Sequence, residues 1–180
     1  MEFYEVINAR KSIKSFKSDP VDNTKLERIV HATMMSPSWK NNTSYKLVMI
    51  DDLQEKKSLA ETVRNRGASA ASAVVTAPVV AVMVGDPNLS GNMDDKDFYL
   101  VDSAIAMEHL ILAATAEGYG TCWIGALDED RVRGVLGIPE TYRVVAMTPI
   151  GVTLEKEAHL PEKDKKDYIF HNRWDSPYQH

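Results

Sequence analysis

Pro78-Val79-Val80-Ala81-Val82-Met83-Val84 is the stretch whose reading decides the fold. After the opening proline come six apolar residues with no polar break. A strand with one wet face alternates apolar and polar side chains, whereas an unbroken run suits a strand covered on both faces. Layers of helix on either side of a sheet would provide that cover. Upstream, Tyr45–Ile50 reads as a second strand, and a charged helix is predicted over residues 53–66. Residues 68–73 are small side chains with no assignment from pattern alone. Downstream, residues 86–95 hold Pro, Asn, Ser, Gly and acidic residues, and read as a mobile loop.

Further out, the longest helix is predicted over 98–117, ending at Gly118, with Leu100, Ala104, Met107, Leu110, Ile111 and Ala114 on its apolar face. Residues 120–124 read as a short strand, Asp128 as the cap of a helix ending at Gly137, and 143–152 as another strand. Toward the N-terminus a helix is expected over Phe3–Ala9. A second is capped by Asp22 or Thr24, the latter with Glu27 in capping-box spacing. Its apolar face holds Leu26, Ile29, Val30, Thr33 and Met34, and it stops before Pro37. This order is not a regular β-α-β-α alternation. It predicts an α+β protein with a sheet of four or five strands flanked by helices, in one domain over 1–180, since no repeat or linker divides the chain.

The 180 residues are 44% hydrophobic and 26% charged, an ordinary globular balance. The net charge of −5 argues against general affinity for nucleic acid or an anionic membrane, so any bound anion must be met by local positive charge. The single cysteine, Cys122, excludes an internal disulfide and four-cysteine metal sites. It lies in an apolar stretch and reads as a buried small hydrophobe. The histidines at 31, 109, 159, 171 and 180 show no metal-ligand spacing, and no metal is expected. Met1-Glu-Phe-Tyr-Glu-Val has neither the basic start nor the apolar run of a signal peptide, and a cytoplasmic location is expected. There is no Walker loop and no G-x-G-x-x-G after a strand.

Three segments can carry chemistry, and each has a plain alternative. Arg10-Lys11-Ser12-Ile13-Lys14 is either a solvated basic turn or a phosphate grip, since a guanidinium fork and a hydroxyl suit phosphate oxygens. Residues 36–45, Ser-Pro-Ser-Trp-Lys-Asn-Asn-Thr-Ser-Tyr, form a loop rich in turn formers, or a loop that offers hydroxyl, amide and aromatic groups to a planar heterocycle. Gly118-Tyr119-Gly120-Thr121-Cys122-Trp123-Ile124-Gly125 is a helix cap followed by a strand, or a backbone that lets a ligand approach.

In order and spacing these motifs resemble the nitroreductase family of FMN-dependent enzymes. The likeness runs from Arg10-Lys11-Ser12-Ile13-Lys14-Ser15-Phe16 through Pro37-Ser38 and Asn41, Ala77-Pro78, and Asp102-Ser103-Ala104-Ile105-Ala106. It continues through Gly118 to Gly125, Pro149-Ile150-Gly151 and Asn172-Arg173-Trp174. The resemblance implies a mixed, mainly antiparallel sheet in a domain-swapped homodimer, with an FMN site at each interface. It assigns Arg10 and Ser12 to the phosphate, with Lys11 close by, and Lys14 to the N1/O2 side of the flavin ring. Pro37, Ser38 and Asn41 would come from the partner subunit, and the backbone of Trp123, Ile124 and Gly125 would face the ring. Lys163 or Lys165 would be a further phosphate contact.

The chain also departs from the pattern. Thr43-Ser44-Tyr45 stands where many relatives have Gln-Pro-Trp, and a basic ring contact of some relatives falls near Ala73, so Lys14 acts alone there or Asn65 or Arg66 substitutes. The C-terminal basic pair of relatives is replaced by Glu162-Lys163-Asp164-Lys165-Lys166. The activity implied is ping-pong hydride transfer from NADH or NADPH to a small-molecule electron acceptor such as a nitroaromatic, a quinone or a free flavin. The alternative is a dimer that holds flavin as a sensor or store without turnover.

Overall fold

The computed structural model describes residues 1–154 and 163–178. Glu162, His159 and His180, named above, lie outside the described residues.

The run after Pro78 is strand β2, Val79–Gly85, and every residue in it is buried. It sits between β1 (Tyr45–Ile50) and β6 (Arg143–Gly151), and β5 (Gly120–Thr121) lies beyond β6. All three strand pairs of this sheet are antiparallel. The parallel element is a single bridge from Ser12 to Thr121 at the β5 edge.

Alternation along β2 explains its double burial. Val79, Ala81 and Met83 pack with Ile29 of α2 (Asn23–Met34) and Ala106, Met107, Leu110 and Ile111 of α5 (Phe98–Ala116). Val80, Val82 and Val84 pack with Leu59 of α3 (Leu53–Ala60), Val74 of α4 (Ser69–Thr76) and Val132 of α6 (Glu129–Leu136). Each buried aliphatic side chain contributes about 1.5–3 kcal/mol, so this strand anchors both layers.

Aspartate caps set the starts of three helices. Asp22, Asp52 and Asp128 each accept a backbone N–H from the first turn of α2, α3 and α6. The Thr24 cap is not used; the helix already begins at Asn23. The N-terminal helix, α1, spans Phe3–Ala9 as expected. The predicted helix over 53–66 stops at Ala60, because the chain after it is drawn into pairing with 126–128. Val63 bridges Leu127, Arg64 N–H donates to the Ala126 carbonyl at 2.7 Å, and Asp128 N–H donates to that of Thr62 at 2.8 Å. The unassigned small-residue stretch becomes α4, with Ala70, Ala73 and Val74 buried. Lys56 of α3 is buried beside its end, and its ammonium donates to the carbonyls of Ala77 at 2.8 Å and Pro78 at 3.3 Å. Burial pushes the pKa of that ammonium down.

The 86–95 region, read as a loop, carries a small hairpin with 96–97. Its strands are β3 (Asn92–Met93) and β4 (Lys96–Asp97), with Asp94 and Asp95 in the left-handed region at the turn.

Helix α5 buries Met107, Leu110, Ile111 and Ala114 as expected, but Leu100 and Ala104 are exposed, as is Met34 on α2. By length and composition α5 could cross a membrane; here one side of it packs on the sheet and on α2. Its apolar character all round leaves an outward patch at Leu100, Val101 and Ala104.

Candidate functional site

The basic segment after α1 is neither a helix nor a solvated turn. It runs extended along the sheet edge. Ile13 N–H donates to the Thr121 carbonyl at 2.8 Å, Lys17 N–H to that of Val152 at 2.8 Å, and Leu154 N–H to that of Ser15 at 3.0 Å. Ile13 and Phe16 are buried against Ala73 and Ala77, while Ser12, Lys14 and Ser15 are exposed. Arg10 ends α1 and is half-buried, as is Lys11. The pinned apolar residues thus fix the backbone from which the cations and the hydroxyl extend.

Gly120 makes that docking possible. A Cβ there would lie 2.7 Å from Ile13 Cγ1, so only glycine lets the segment lie this close. Gly118, at φ +86°, ends α5 in the left-handed conformation. Both glycines therefore answer to the fold. The chain then leaves the sheet at Cys122 and Trp123 and rejoins it at Ile124. Cys122 is buried, as expected. Ile124 is buried, and its N–H and carbonyl are both spent on Met147, each at 2.9 Å. Trp123 and Gly125 are exposed, and among the described residues their N–H groups have no partner. Of the three amides expected near a ring, these two can donate.

Ala73, where some relatives place a basic residue, is buried beneath Ile13 and Phe16. Pairing of 62–64 with 126–128 sets the turn holding Asn65 and Arg66 beside the Trp123–Gly125 stretch. Arg64 is spent on Asp128 at 2.7 Å; Arg66 is exposed.

The loop between α2 and β1 is built differently. Pro37 and Asn41 are exposed and Ser38 is half-buried. Lys40, Asn41 and Thr43 have φ of 48°, 58° and 51°, conformations that cost an L-residue roughly 1–3 kcal/mol each and persist only when surroundings impose them. Ser38 Oγ accepts from Thr43 N–H at 2.8 Å across the loop. Ser44 and Tyr45, at the place of the relatives' Pro-Trp, are buried. The Tyr45 hydroxyl accepts from Ser36 Oγ at 2.7 Å and donates to the Thr33 carbonyl at 3.1 Å.

Asp102 of α5 is the residue whose role here sequence reasoning missed. It is buried, and Oδ1 accepts from Trp39 N–H at 2.8 Å while Oδ2 accepts from Ser44 Oγ at 2.6 Å and Ser90 Oγ at 3.0 Å. The available signal was an acidic residue in the largely apolar first half of this helix, Phe98–Met107.

Within one chain the structure does not bring the two segments together. The loop is tied to Asp102 near the start of α5, and the basic segment lies beside Gly120, just past its end. At 1.5 Å of rise per residue, the helix alone puts about 21 Å between Asp102 and its last residue, Ala116. Nor does any hydrogen bond, ion pair or ring contact join Lys163 or Lys165 to Arg10 or Ser12 among the described residues. Both lysines are exposed, on a segment that folds on itself through a Phe170–Pro177 bridge and a Phe170–Trp174 ring contact at 4.8 Å. Lys163 Nζ lies 5.1 Å from the centre of the Tyr168 ring. His109 Nδ1 is 3.1 Å from the Ala32 carbonyl, a packing role as expected, and His31 is exposed.

The model of the nitroreductase family matches residues 7–152. A putative NADH dehydrogenase/NAD(P)H nitroreductase of Archaeoglobus fulgidus is 25% identical over 179 residues, covering 96% of this chain and 99% of its own. A crystal structure of a nitroreductase family protein from Clostridium novyi NT superposes with a TM-score of 0.85 at 43% identity, over 99% of this chain and 97% of that one. An FMN-dependent nitroreductase from Clostridium difficile R20291 shares the fold, with a TM-score of 0.82 at 22% identity over 94% and 98% of the two chains. Fold and likeness together define an oxidoreductase enzyme of α+β architecture with a sheet flanked by helices. The chain belongs to the nitroreductase family.

Proposed function

We propose that this oxidoreductase works as a homodimer that binds FMN at the subunit interface and uses NADH or NADPH to reduce electron-poor small molecules such as nitroaromatics or quinones. The observation that carries the reading is the separation just described. Two segments suited to one flavin lie at opposite ends of α5, so a second copy must supply the missing half of each site. The apolar outward patch of α5 at Leu100, Val101 and Ala104 is suited to that contact.

The residues present fit the cofactor. In a chain of net charge −5, Arg10, Lys11, Ser12 and Lys14 gather donors and positive charge on one pinned segment. Arg10 and Ser12 would hold the phosphate, with Lys11 adding charge. Lys14 would sit at the N1/O2 edge, where an ammonium stabilises negative charge. The unpaired amides of Trp123 and Gly125, on either side of Ile124, would face the ring and donate to it. Pro37, Ser38 and Asn41 would come from the partner, and Lys163 or Lys165 would reach a phosphate across the interface. When bound, FMN would supply the ping-pong hydride transfer between nicotinamide and acceptor. A cytoplasmic location goes with this reading.

The test is absorbance. The purified protein should be yellow, bleach with NADH or NADPH, and recover colour on adding a nitroarene or quinone. A yellow protein that neither nicotinamide bleaches would make it a flavin carrier, and one unable to take up FMN would sink the reading.

A further inference from the structure

We propose that Asp102 is a positioning residue for the flavin site: it holds the 36–44 loop in its presenting conformation and locks the 86–97 excursion to it. The inference rests on the proposed FMN reading for what the loop presents, and on geometry for the clamp itself.

A carboxylate is costly to place in an apolar helix, and this one is buried with no cation beside it among the described residues. It is satisfied instead by three neutral donors, and none of them belongs to its own helix. Trp39 N–H and Ser44 Oγ come from the two ends of the α2–β1 loop, and Ser90 Oγ comes from the excursion between β2 and α5. A backbone N–H can only donate, so the carboxylate oxygen that Trp39 N–H meets serves as its acceptor. Between the two tethered points lie Lys40, Asn41 and Thr43, the three residues in the left-handed region. Asparagine tolerates this region, but Lys40 and the β-branched Thr43 have no such preference. The ends fixed by Asp102 hold them there.

The excursion is joined to the same loop at further points. Asn42 Nδ2 donates to the Leu89 carbonyl at 3.0 Å. A Cβ on Gly91 would lie 2.6 Å from the Trp39 ring, which also packs on Phe98, the first residue of α5, at 4.3 Å between centroids. One buried carboxylate therefore sets the relative placement of two loops. One carries Pro37, Ser38 and Asn41; the other, bearing the acidic turn Asp94-Asp95, forms a wall beside it.

The experiment compares Asp102→Ala and Asp102→Asn with the unmutated dimer. FMN affinity is read by quenching of flavin fluorescence, flavin environment by visible circular dichroism, and loop order by amide hydrogen exchange over 38–44 on flavin-free protein. Asp102→Ala should weaken FMN binding at least tenfold, alter the visible dichroism and lose protection over 38–44. Asp102→Asn keeps an acceptor for Trp39 N–H, and its amide can donate to serine hydroxyls that turn to accept; it should recover most of the affinity. Val132→Ala, a core substitution on α6 remote from both loops, controls for lost stability. The proposal is overturned if Val132→Ala, at an equal drop in melting temperature, weakens FMN binding as much as Asp102→Ala does. It is also overturned if Asp102→Ala binds FMN like the unmutated protein. Should Asp102→Ala not fold, Ser90→Ala and Ser44→Ala remove single donors; each should weaken FMN severalfold, and unchanged affinity in both would overturn the clamp. Failure of the unmutated protein to bind FMN would sink the flavin reading itself, and retained 38–44 protection in Asp102→Ala would then sink the clamp separately.

Discussion

The Ile13 side chain fills the space that a Cβ on Gly120 would need, with Cγ1 2.7 Å from that position. This contact seats the basic segment on the sheet edge. Gly120→Ala should therefore lift Ile13, break its N–H bond to Thr121 and displace Ser12 and Lys14 together. Forced overpacking of this kind costs about 1–3 kcal/mol. Thermal denaturation should show the loss, and an FMN titration should show weaker binding. Unchanged values for both would mean that the edge adapts and the glycine is dispensable.

Arg10→Ala tests the proposed phosphate contact directly. Charged hydrogen bonds contribute about 1.5–3 kcal/mol, so FMN affinity should fall roughly 10- to 100-fold. Arg10 makes no side-chain hydrogen bond or ion pair within the described chain, so melting of the flavin-free protein should hardly change. Full flavin occupancy after dialysis would show the phosphate assignment to be wrong.

Leu100→Glu and Val101→Glu place charge on the outward patch of α5 without entering the core. If that patch is the dimer contact, either variant should run as a monomer in light scattering and lose flavin. A native protein that is monomeric and still yellow would refute the interface.

Acid sensitivity should centre on Glu129. Its Oε1 accepts from Arg143 Nε at 2.7 Å, Arg133 Nη1 at 3.0 Å and Val144 N–H at 3.0 Å. The Arg143 hydrogen bond is the main cause holding its carboxyl below the ordinary glutamate value of 4.5. As pH falls, the unfolded chain takes up this proton first. The stabilisation is thus complete above about pH 4.5 and is lost as pH drops through the lower folded value. Glu129→Gln should cost about 1 kcal/mol at neutral pH and flatten this acid limb in urea denaturation. Glu117 and Asp128, lowered chiefly by Arg28 and Arg64, keep the rest of the acid dependence.

Ser103 Oγ is, among the described residues, the one buried side-chain polar atom without a hydrogen bond. Replacing it by alanine removes an unsatisfied hydroxyl and adds a better helix former. Ser103→Ala should leave the melting temperature unchanged or raise stability by up to about 1 kcal/mol. A clear loss would reveal a partner for this hydroxyl.

Much of the fold was legible because its signals are local. The run from Val79 to Val84, the Asp22 and Asp128 caps and the glycine after α5 act through neighbouring residues. Where the reading went astray, a remote partner intervened. The helix from Leu53 stops at Ala60 because Thr62 and Arg64 pair with residues more than sixty positions on. Leu100 and Ala104 match the apolar pattern of α5 yet face outward, since periodicity does not say which apolar side a helix buries when nearly every side is apolar. For the site, Arg10, Ser12 and Lys14 could be picked out by residue type, but not that Ile13 pins them.

The sequence by itself determined the family, the order of helices and strands, and the residues chemically able to meet a phosphate and a flavin ring. Only the tertiary structure decided that Asp102 ties two loops together, that the Ile124 amide is spent on Met147, and that the two candidate segments stand at opposite ends of α5. Propensity, caps and periodicity act over a few residues, whereas the distance between residues far apart in the chain exists only once the helices have packed on the sheet.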